Sequence, residues 1–198
     1  PPDTYVVADG MGGYAAGEVA SEMLVDVFAE MFSDAVHECG EKALLHAVQA
    51  ANSKILCAAA ASEARKGMGT TVVALQYREN AAYWAHVGDS RLYLLRKGAL
   101  RRLTRDHSFV QDLVERGSIT EEEAREHPKK NLLTRAVGVE EKLVVDTGSF
   151  TIEAGDIFLL CSDGLTNMVG EAAIRETLQG ESADKARTLV ELALLAGG

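Results

Sequence analysis

Three apolar segments of the sequence each lead into an aspartate. Asp9 follows TYVVA, Asp89 follows AYWAHVG, and Asp163 follows IFLLCS. A carboxylate just past a buried strand lies at the rim of the core, where it can converge with carboxylates from other strands. Crowded carboxylates repel one another, so such a cluster usually requires a cation, and oxygen-only ligands favour Mg²⁺ or Mn²⁺. The pattern predicts a site for hard divalent ions.

Turns explain the same aspartates equally well. Gly10 follows Asp9 and Gly164 follows Asp163, and an Asp-Gly pair after a strand commonly forms a turn. From the residues alone, two interpretations remain open: three separate surface turns, or one shared metal site.

The glycines after Asp9 also resemble a nucleotide-binding pattern. Residues 10–15 (GMGGYA) satisfy G-x-G-x-x-G/A between a strand and a helix. That fingerprint needs a second strand ending in an acidic residue about 20 positions later. Residues 20–32 instead carry a helical pattern, which places Asp26 and Glu30 within a helix and disfavours dinucleotide binding.

Other catalytic devices are missing from the sequence. It has no G-x-x-x-x-G-K-[ST] phosphate loop, no H-E-x-x-H zinc helix and no C-x5-R cysteine phosphatase motif. We expect reduced thiols at Cys39, Cys57 and Cys161, because three scattered cysteines make no disulfide framework. We expect His86 to be a core or rim residue with satisfied hydrogen bonds. Near His107, we expect Asp106 or Ser108 to cap a helix.

Composition limits the possible partners and the number of domains. The chain has 198 residues, 47% of them apolar, and a net charge of −10, which fits one domain spanning residues 1–198. The negative charge argues against nucleic acid as a partner. No apolar run reaches the ~18 residues of a membrane span, and no leader opens the chain. We therefore expect a cytoplasmic protein.

The hydrophobic pattern predicts an α+β fold. A strand, Thr4–Ala8, precedes two amphipathic helices. The first helix places a stripe inward (Ala20, Met23, Leu24, Val27, Phe28, Met31, Phe32). TTVVALQY, AAYWAHV, RLYLLRK and LRRL then predict a meander of antiparallel strands. Two short helices follow, one with a capping box at Thr120 and Glu123. KLVVD and DIFLLC resume the β pattern, and a helix is predicted over Asp184–Leu195.

Several of these segments together resemble one known family. The motifs are VADGMGGYAAGEVAS (residues 7–21), GMGTTVV (67–73), AHVGDSRLYLLR (85–96), LTRDHS (103–108), NLLTRAVG (131–138) and LLCSDGL (159–165). They resemble, in the same order and across almost the whole chain, the metal-dependent protein phosphatases of type 2C in their bacterial form.

The resemblance implies a four-layer αββα sandwich and hydrolysis of phosphoserine and phosphothreonine in proteins through a metal-activated water. It implies that Asp9 bridges two Mn²⁺ or Mg²⁺ ions, that the carbonyl of Gly10 binds one, and that Asp163 binds the other. Asp89, with Asp163, would contribute to a third ion. Residues 106–135 would form a flap segment beside the active site. The partners implied are phosphorylated proteins, substrates of a serine/threonine kinase.

The chain also departs from the family pattern. Met11 stands where eukaryotic relatives often carry a histidine suggested as general acid. The chain begins shortly before Asp9 and stops at Gly198, without the family's upstream arginine and acid or its final Asp-Asn. On this basis we expect the N- and C-terminal strands to be lacking, metal binding and activity to be weak, and a homodimer to form through exposed sheet edges. A non-catalytic pseudophosphatase acting as a binding module is the alternative, although retention of Asp9, Asp89 and Asp163 favours the enzyme.

Overall fold

The computed structural model describes residues 4–33 and 40–198, so Cys39 lies outside the described residues. Its strands are β1 Thr4–Val7, β2 Gly10–Met11, β3 Gly69–Thr70, β4 Val72–Arg78, β5 Ala81–Val87, β6 Arg91–Arg96, β7 Ala99–Arg102, β8 Asp146–Thr151 and β9 Ile157–Cys161. Its helices are α1 Tyr14–Met31, α2 Glu41–Ala60, α3 Phe109–Glu115, α4 Glu121–Glu126, α5 Asp163–Thr166, α6 Glu171–Gln179 and α7 Lys185–Leu195, with a 3₁₀ turn at Glu63–Arg65.

The apolar stripe of α1 faces the core as predicted, except at its end. Leu24, Val27 and Phe28 are buried, since residues three and four apart share one face of a helix. Met31 was predicted to point inward, and this is wrong: it is 39% exposed. It is the last residue of the helix, and the next residue, Phe32, is buried in its place.

The predicted four-stranded meander is wrong, because its strands divide between two sheets. β4 pairs with β5 and β6 pairs with β7, but β5 pairs with β8 and β6 with β9. The two larger sheets have the orders β1-β4-β5-β8 and β7-β6-β9, and β2 pairs with β3 in a two-stranded sheet. The chain changes sheet at residues 88–90, where Gly88 has φ +107. Strands apolar on both faces look alike in sequence, so hydrophobic pattern alone cannot assign their neighbours.

The predicted strand KLVVD is also displaced. β8 begins at Asp146, the last residue of that run, and residues 142–145 have no regular structure. Leu143 and Val145 nevertheless pack against the helical side of the core. The run is apolar because it covers the core as a loop, which a β-propensity argument does not distinguish from a strand.

Three apolar clusters separate four layers and confirm the α+β class. The first lies between α1, α2 and one face of the larger sheet, and includes Ala74 and Ala85. The second lies between the two sheets and includes Val73, Leu75 and Leu92. The third joins the smaller sheet to α6 and α7. Alternate residues of β4 therefore serve different clusters, as the period of two requires.

Local capping at the predicted short helices is as expected. The Oγ1 of Thr120 accepts from the amide of Glu123, and the Glu123 carboxylate accepts from the amide of Thr120, which completes the capping box. Ser108 caps α3. No described helix is both long enough and apolar enough to cross a membrane. β1 and β9 are edge strands of their sheets; pairing of these edges with a second copy stays a prediction.

Candidate active site

Asp9 is held by two threonines of the GMGTT motif. The hydroxyl of Thr71 accepts from the amide of Asp9 at 3.0 Å, and the hydroxyl of Thr70 donates to the Asp9 carbonyl at 3.0 Å. The amide of Thr71 also donates to that carbonyl, at 2.9 Å. Because Thr70 and Thr71 are buried, these bonds fix the main chain of Asp9 after β1.

Thr71 also connects Asp9 to the segment that carries Asp89. The hydroxyls of Thr71 and Ser90 are 2.7 Å apart, and Ser90 follows Asp89 where the chain changes sheet. Asp163 arrives from β9 at the start of α5, and Asn167 donates to its carboxylate at 3.0 Å. Each predicted aspartate therefore comes from the end of a different strand.

The structure brings these three acids within electrostatic reach of one another. The pKa of Asp9 is raised by burial, then by the charge of Asp163 and a hydrogen bond to it. Burial, followed by the charges of Asp163, Asp106 and Asp9, raises the pKa of Asp89 to about 7. Carboxylates that raise one another's pKa are short of a compensating cation.

This donor set fits divalent metal ions. Asp9, Asp89 and Asp163 offer hard oxygen ligands, and added positive charge would relieve their repulsion. Within the described part of the chain, their oxygens do not form a compact group around a single point. Water would fill the coordination positions that these carboxylates leave open. Their role as ligands stays a prediction.

Gly10 lies where β2 passes very close to α1. A Cβ atom on Gly10 would lie 2.0 Å from the carbonyl oxygen of Gly17 and 2.3 Å from its carbon. The glycine therefore allows the helix to pack against the Asp9 segment. This close approach explains a glycine of the nucleotide-like pattern without a nucleotide. Binding of metal by the Gly10 carbonyl stays a prediction.

A compact set of metal-ligand types elsewhere was missed by sequence reasoning. Ligand atoms of His86, His107 and Asp146 lie within 4.8 Å of one another. Arg135 already supplies a cation there: its Nη1 donates to Asp146 Oδ1 at 3.0 Å and lies 3.1 Å from His107 Nε2. A metal bound to the same atoms would meet the guanidinium charge, so we assign this group as an ion-paired network.

His86 is a core residue as expected, but the expectation that its ring is hydrogen-bonded is wrong. Its ring is fully buried, and neither ring nitrogen has a hydrogen-bond partner among the described residues. It packs against His107, with 4.8 Å between ring centroids. Burial lowers the pKa of His86 to about 4, so the ring is neutral at pH 7. The register of β5 with β8 pairs His86 with Asp146. Knowledge of this register would have revealed that the two residues are neighbours.

A cavity of about 260 Å³ lies between two of the three acids and the flap segment, residues 106–135, and Asp9 is not among its lining residues. Asp89 and Asp163 line one side of it, and Arg125 and Lys130 line the flap side. Its remaining charged lining residues are Arg91, Arg102, Asp106, Glu121 and Glu171. Four of these are engaged. Arg91 binds both carboxylate oxygens of Asp106, at 3.0 and 2.6 Å. Arg102 Nη1 lies 3.7 Å from Asp106 Oδ2, and Glu171 accepts from the Tyr93 hydroxyl at 3.2 Å.

The raised pKa of Asp89 predicts a pH-dependent stability. The folded protein holds this proton more tightly than the unfolded chain, whose carboxyl titrates near 3.8. In metal-free protein the contribution is full below about pH 4 and is lost as the pH rises through about 7. Asp89→Asn should therefore be more stable than the parent at pH 8, and this difference should shrink toward pH 4.

Urea unfolding in EDTA between pH 4 and 8 measures this difference. Asp26→Asn, on the exposed side of α1, is the control and should follow the parent at each pH. Parallel stability curves for the parent and Asp89→Asn would show that Asp89 is not under electrostatic stress.

Comparison with known proteins identifies relatives over almost the whole chain. The family model described as protein phosphatase 2C matches residues 3–191. The serine/threonine phosphatase stp of Listeria innocua is 44% identical over 192 residues, which cover 95% of this chain and 74% of that protein.

Solved structures show the same fold. The serine/threonine phosphatase PstP/Ppp of Mycobacterium tuberculosis superposes with a TM-score of 0.91 at 42% identity, covering 98% of this chain and 83% of that one. The catalytic domain of PstP in complex with two manganese ions gives a TM-score of 0.88 at 40% identity, covering 100% of this chain and 86% of that one.

Proposed function

This chain belongs to the protein phosphatase 2C family, a family of serine/threonine phosphatases, and we propose that it hydrolyses phosphoserine and phosphothreonine in proteins with Mn²⁺ or Mg²⁺. The observation that carries the proposal is the convergence of Asp9, Asp89 and Asp163, which raises the pKa of Asp9 and Asp89. The two manganese ions in the related PstP structure support this choice of metal.

In this proposal some residues of the chain would bind metal ions and others would hold those residues in place. Asp9 and Asp163, with the Gly10 carbonyl, would hold two ions, and Asp89 with Asp163 would hold a third. When bound, such ions lower the pKa of a water ligand and offset charge on phosphoryl oxygens. Thr70 and Thr71 keep the Asp9 main chain in place. Asn167 orients the Asp163 carboxylate through its 3.0 Å hydrogen bond.

The leaving serine or threonine oxygen must gain a proton. Met11 has no proton to donate, so this step falls to water or to another side chain. His107 is a poor donor there, because its Nδ1 accepts from the Gly88 amide, which leaves the ring proton on Nε2, 3.1 Å from Asp146 Oδ2. We therefore assign the proton to solvent water entering through the open cavity.

The substrate peptide would lie in the cavity between the acids and the flap segment. Arg125 and Lys130 face it from the flap side, and neither makes an ion pair with another residue in the ranges 4–33 and 40–198. An acidic side chain near the phosphorylated residue could pair with them. A cytoplasmic location and a partner serine/threonine kinase stay predictions.

Removing the positive charges of Arg125 and Lys130 should lower the hydrolysis of phosphopeptides but not that of small phosphate esters. We expect Arg125→Ala/Lys130→Ala to lower kcat/KM about 3- to 30-fold for an acidic phosphopeptide, because each exposed ion pair is worth up to about 1 kcal/mol. Hydrolysis of p-nitrophenyl phosphate should be unchanged. The matched control is Lys42→Ala/Arg65→Ala, two exposed cations that do not line the cavity. Equal losses for both substrates would contradict this placement of the peptide.

Phosphopeptide hydrolysis tests the function itself. Phosphate release should require Mn²⁺ or Mg²⁺, stop in EDTA, and occur for phosphoserine and phosphothreonine peptides. Binding of a phosphopeptide without any turnover under saturating Mn²⁺ would favour the pseudophosphatase alternative. Turnover that persists in EDTA would contradict the metal mechanism.

A further inference from the structure

We propose that His107 is a positioning residue, which holds the segment carrying Asp89 in the geometry needed for metal binding and joins that segment to the base of the flap segment. The inference rests on the proposed function, since it takes Asp89 as a metal ligand. It comes from the hydrogen bonds of His107, which is not itself one of the proposed metal ligands.

His107 forms hydrogen bonds with both the carbonyl and the amide of Gly88. The amide of His107 donates to the Gly88 carbonyl at 2.7 Å. In return, the amide of Gly88 donates to His107 Nδ1 at 3.1 Å. His107 is only 2% exposed, so water does not compete easily for these bonds. Because Gly88 directly precedes Asp89, the two bonds fix where the Asp89 main chain begins.

Gly88 has a conformation that requires such support. Its φ is +107, a region that residues other than glycine rarely adopt. A Cβ atom there would lie 2.7 Å from Thr71 Cγ2, so the segment also passes tightly over Thr71, the residue before β4. On its other side, the Thr71–Ser90 hydroxyl contact of 2.7 Å holds the residue after Asp89. The Asp89 main chain is thus held from both sides.

The other edge of the His107 ring fixes its orientation. Since Nδ1 accepts from Gly88, the proton is on Nε2, which donates to Asp146 Oδ2 at 3.1 Å. Arg135 donates to the other oxygen of Asp146 at 3.0 Å. The network therefore holds the ring as a neutral tautomer with its acceptor directed at Gly88. Burial lowers the pKa of His107, consistent with this neutral form.

The same residue lies at the base of the flap segment. The carbonyl of His107 accepts from the amide of Thr134 at 2.9 Å, and a β-bridge joins Ser108 to Leu133. Both ends of the flap segment therefore meet beside Gly88. Movement of the flap base would act on Asp89 through His107, without any contact between the flap and the metal ligand.

Two substitutions of His107 test the roles of its two ring nitrogens separately. In His107→Asn the side-chain oxygen lies near the place of Nδ1 and can still accept from Gly88. In His107→Gln the amide reaches toward the place of Nε2 and leaves Gly88 without its acceptor. By isothermal titration of metal-free protein with Mn²⁺, we expect His107→Gln to weaken the affected site about tenfold, as loss of supporting residues typically does. His107→Asn should stay within about twofold of the parent.

Further measurements keep the test independent of catalysis. Adding His107→Gln to Asp89→Asn should cause no further loss of Mn²⁺ affinity, because the effect passes through Asp89. In the metal-free parent the Gly88 amide should be protected from hydrogen exchange, and His107→Gln should remove this protection. Equal affinities for His107→Gln and His107→Asn, additive losses in the double variant, or an unprotected Gly88 amide would overturn the proposal. If the parent binds Mn²⁺ but hydrolyses no phosphopeptide, the proposed function fails and this inference is still tested.

Discussion

Asp163→Asn is expected to lower phosphopeptide turnover at least about 100-fold at fixed Mn²⁺. The substitution keeps the shape of the side chain and removes its charge, so the site loses an anionic ligand and the ions lose part of their compensation. Asp9→Asn should have a similar effect, because Asp9 and Asp163 interact directly. Both losses should appear in the affinity for Mn²⁺ as well as in kcat.

Titration calorimetry and steady-state kinetics on the same preparations test this result. Asp26→Asn is the matched control, since it makes the same chemical change on the exposed side of α1 and should bind Mn²⁺ and turn over as the parent does. Near-normal turnover of Asp163→Asn would remove Asp163 from the metal site. A loss of turnover with unchanged Mn²⁺ affinity would assign it a role other than metal binding.

Gly10→Ala is expected to damage stability and metal binding together. The new methyl group would lie 2.0 Å from the backbone oxygen of Gly17, and neither β2 nor α1 can give way without moving the Asp9 segment. Overpacking of this kind costs about 1–3 kcal/mol, occasionally more. At the upper value, Tm should fall by about 6–12 °C. Mn²⁺ affinity should fall as well, because the displaced segment carries Asp9 and the Gly10 carbonyl.

Thermal unfolding with and without Mn²⁺ measures both effects. Gly180→Ala is the control: its φ is −63, and a Cβ there meets its nearest atoms at 3.4 Å, an ordinary contact. Its Tm should stay close to that of the parent. An unchanged Tm for Gly10→Ala would show that α1 does not pack on β2 as described.

The elements that the sequence predicted correctly are those with a strong local signal. The helix stripe through Leu24 and Phe28 faces the core, and the Thr120–Glu123 capping box forms. These features depend on residues three or four apart, which the helix itself brings together. The meander failed because β5 and β6 are apolar and adjacent in sequence, while their partners β8 and β9 are distant.

By itself, the sequence determined which residue types end the strands: Asp9, Asp89 and Asp163 each follow an apolar run, and their order matches one family. Only the tertiary structure decided what surrounds them. It brought Asp146 and Arg135 to His107 and joined His107 to Gly88. The physical reason is that a strand's own composition sets its burial, whereas hydrogen bonds between distant segments depend on sheet order and register, which no local pattern specifies.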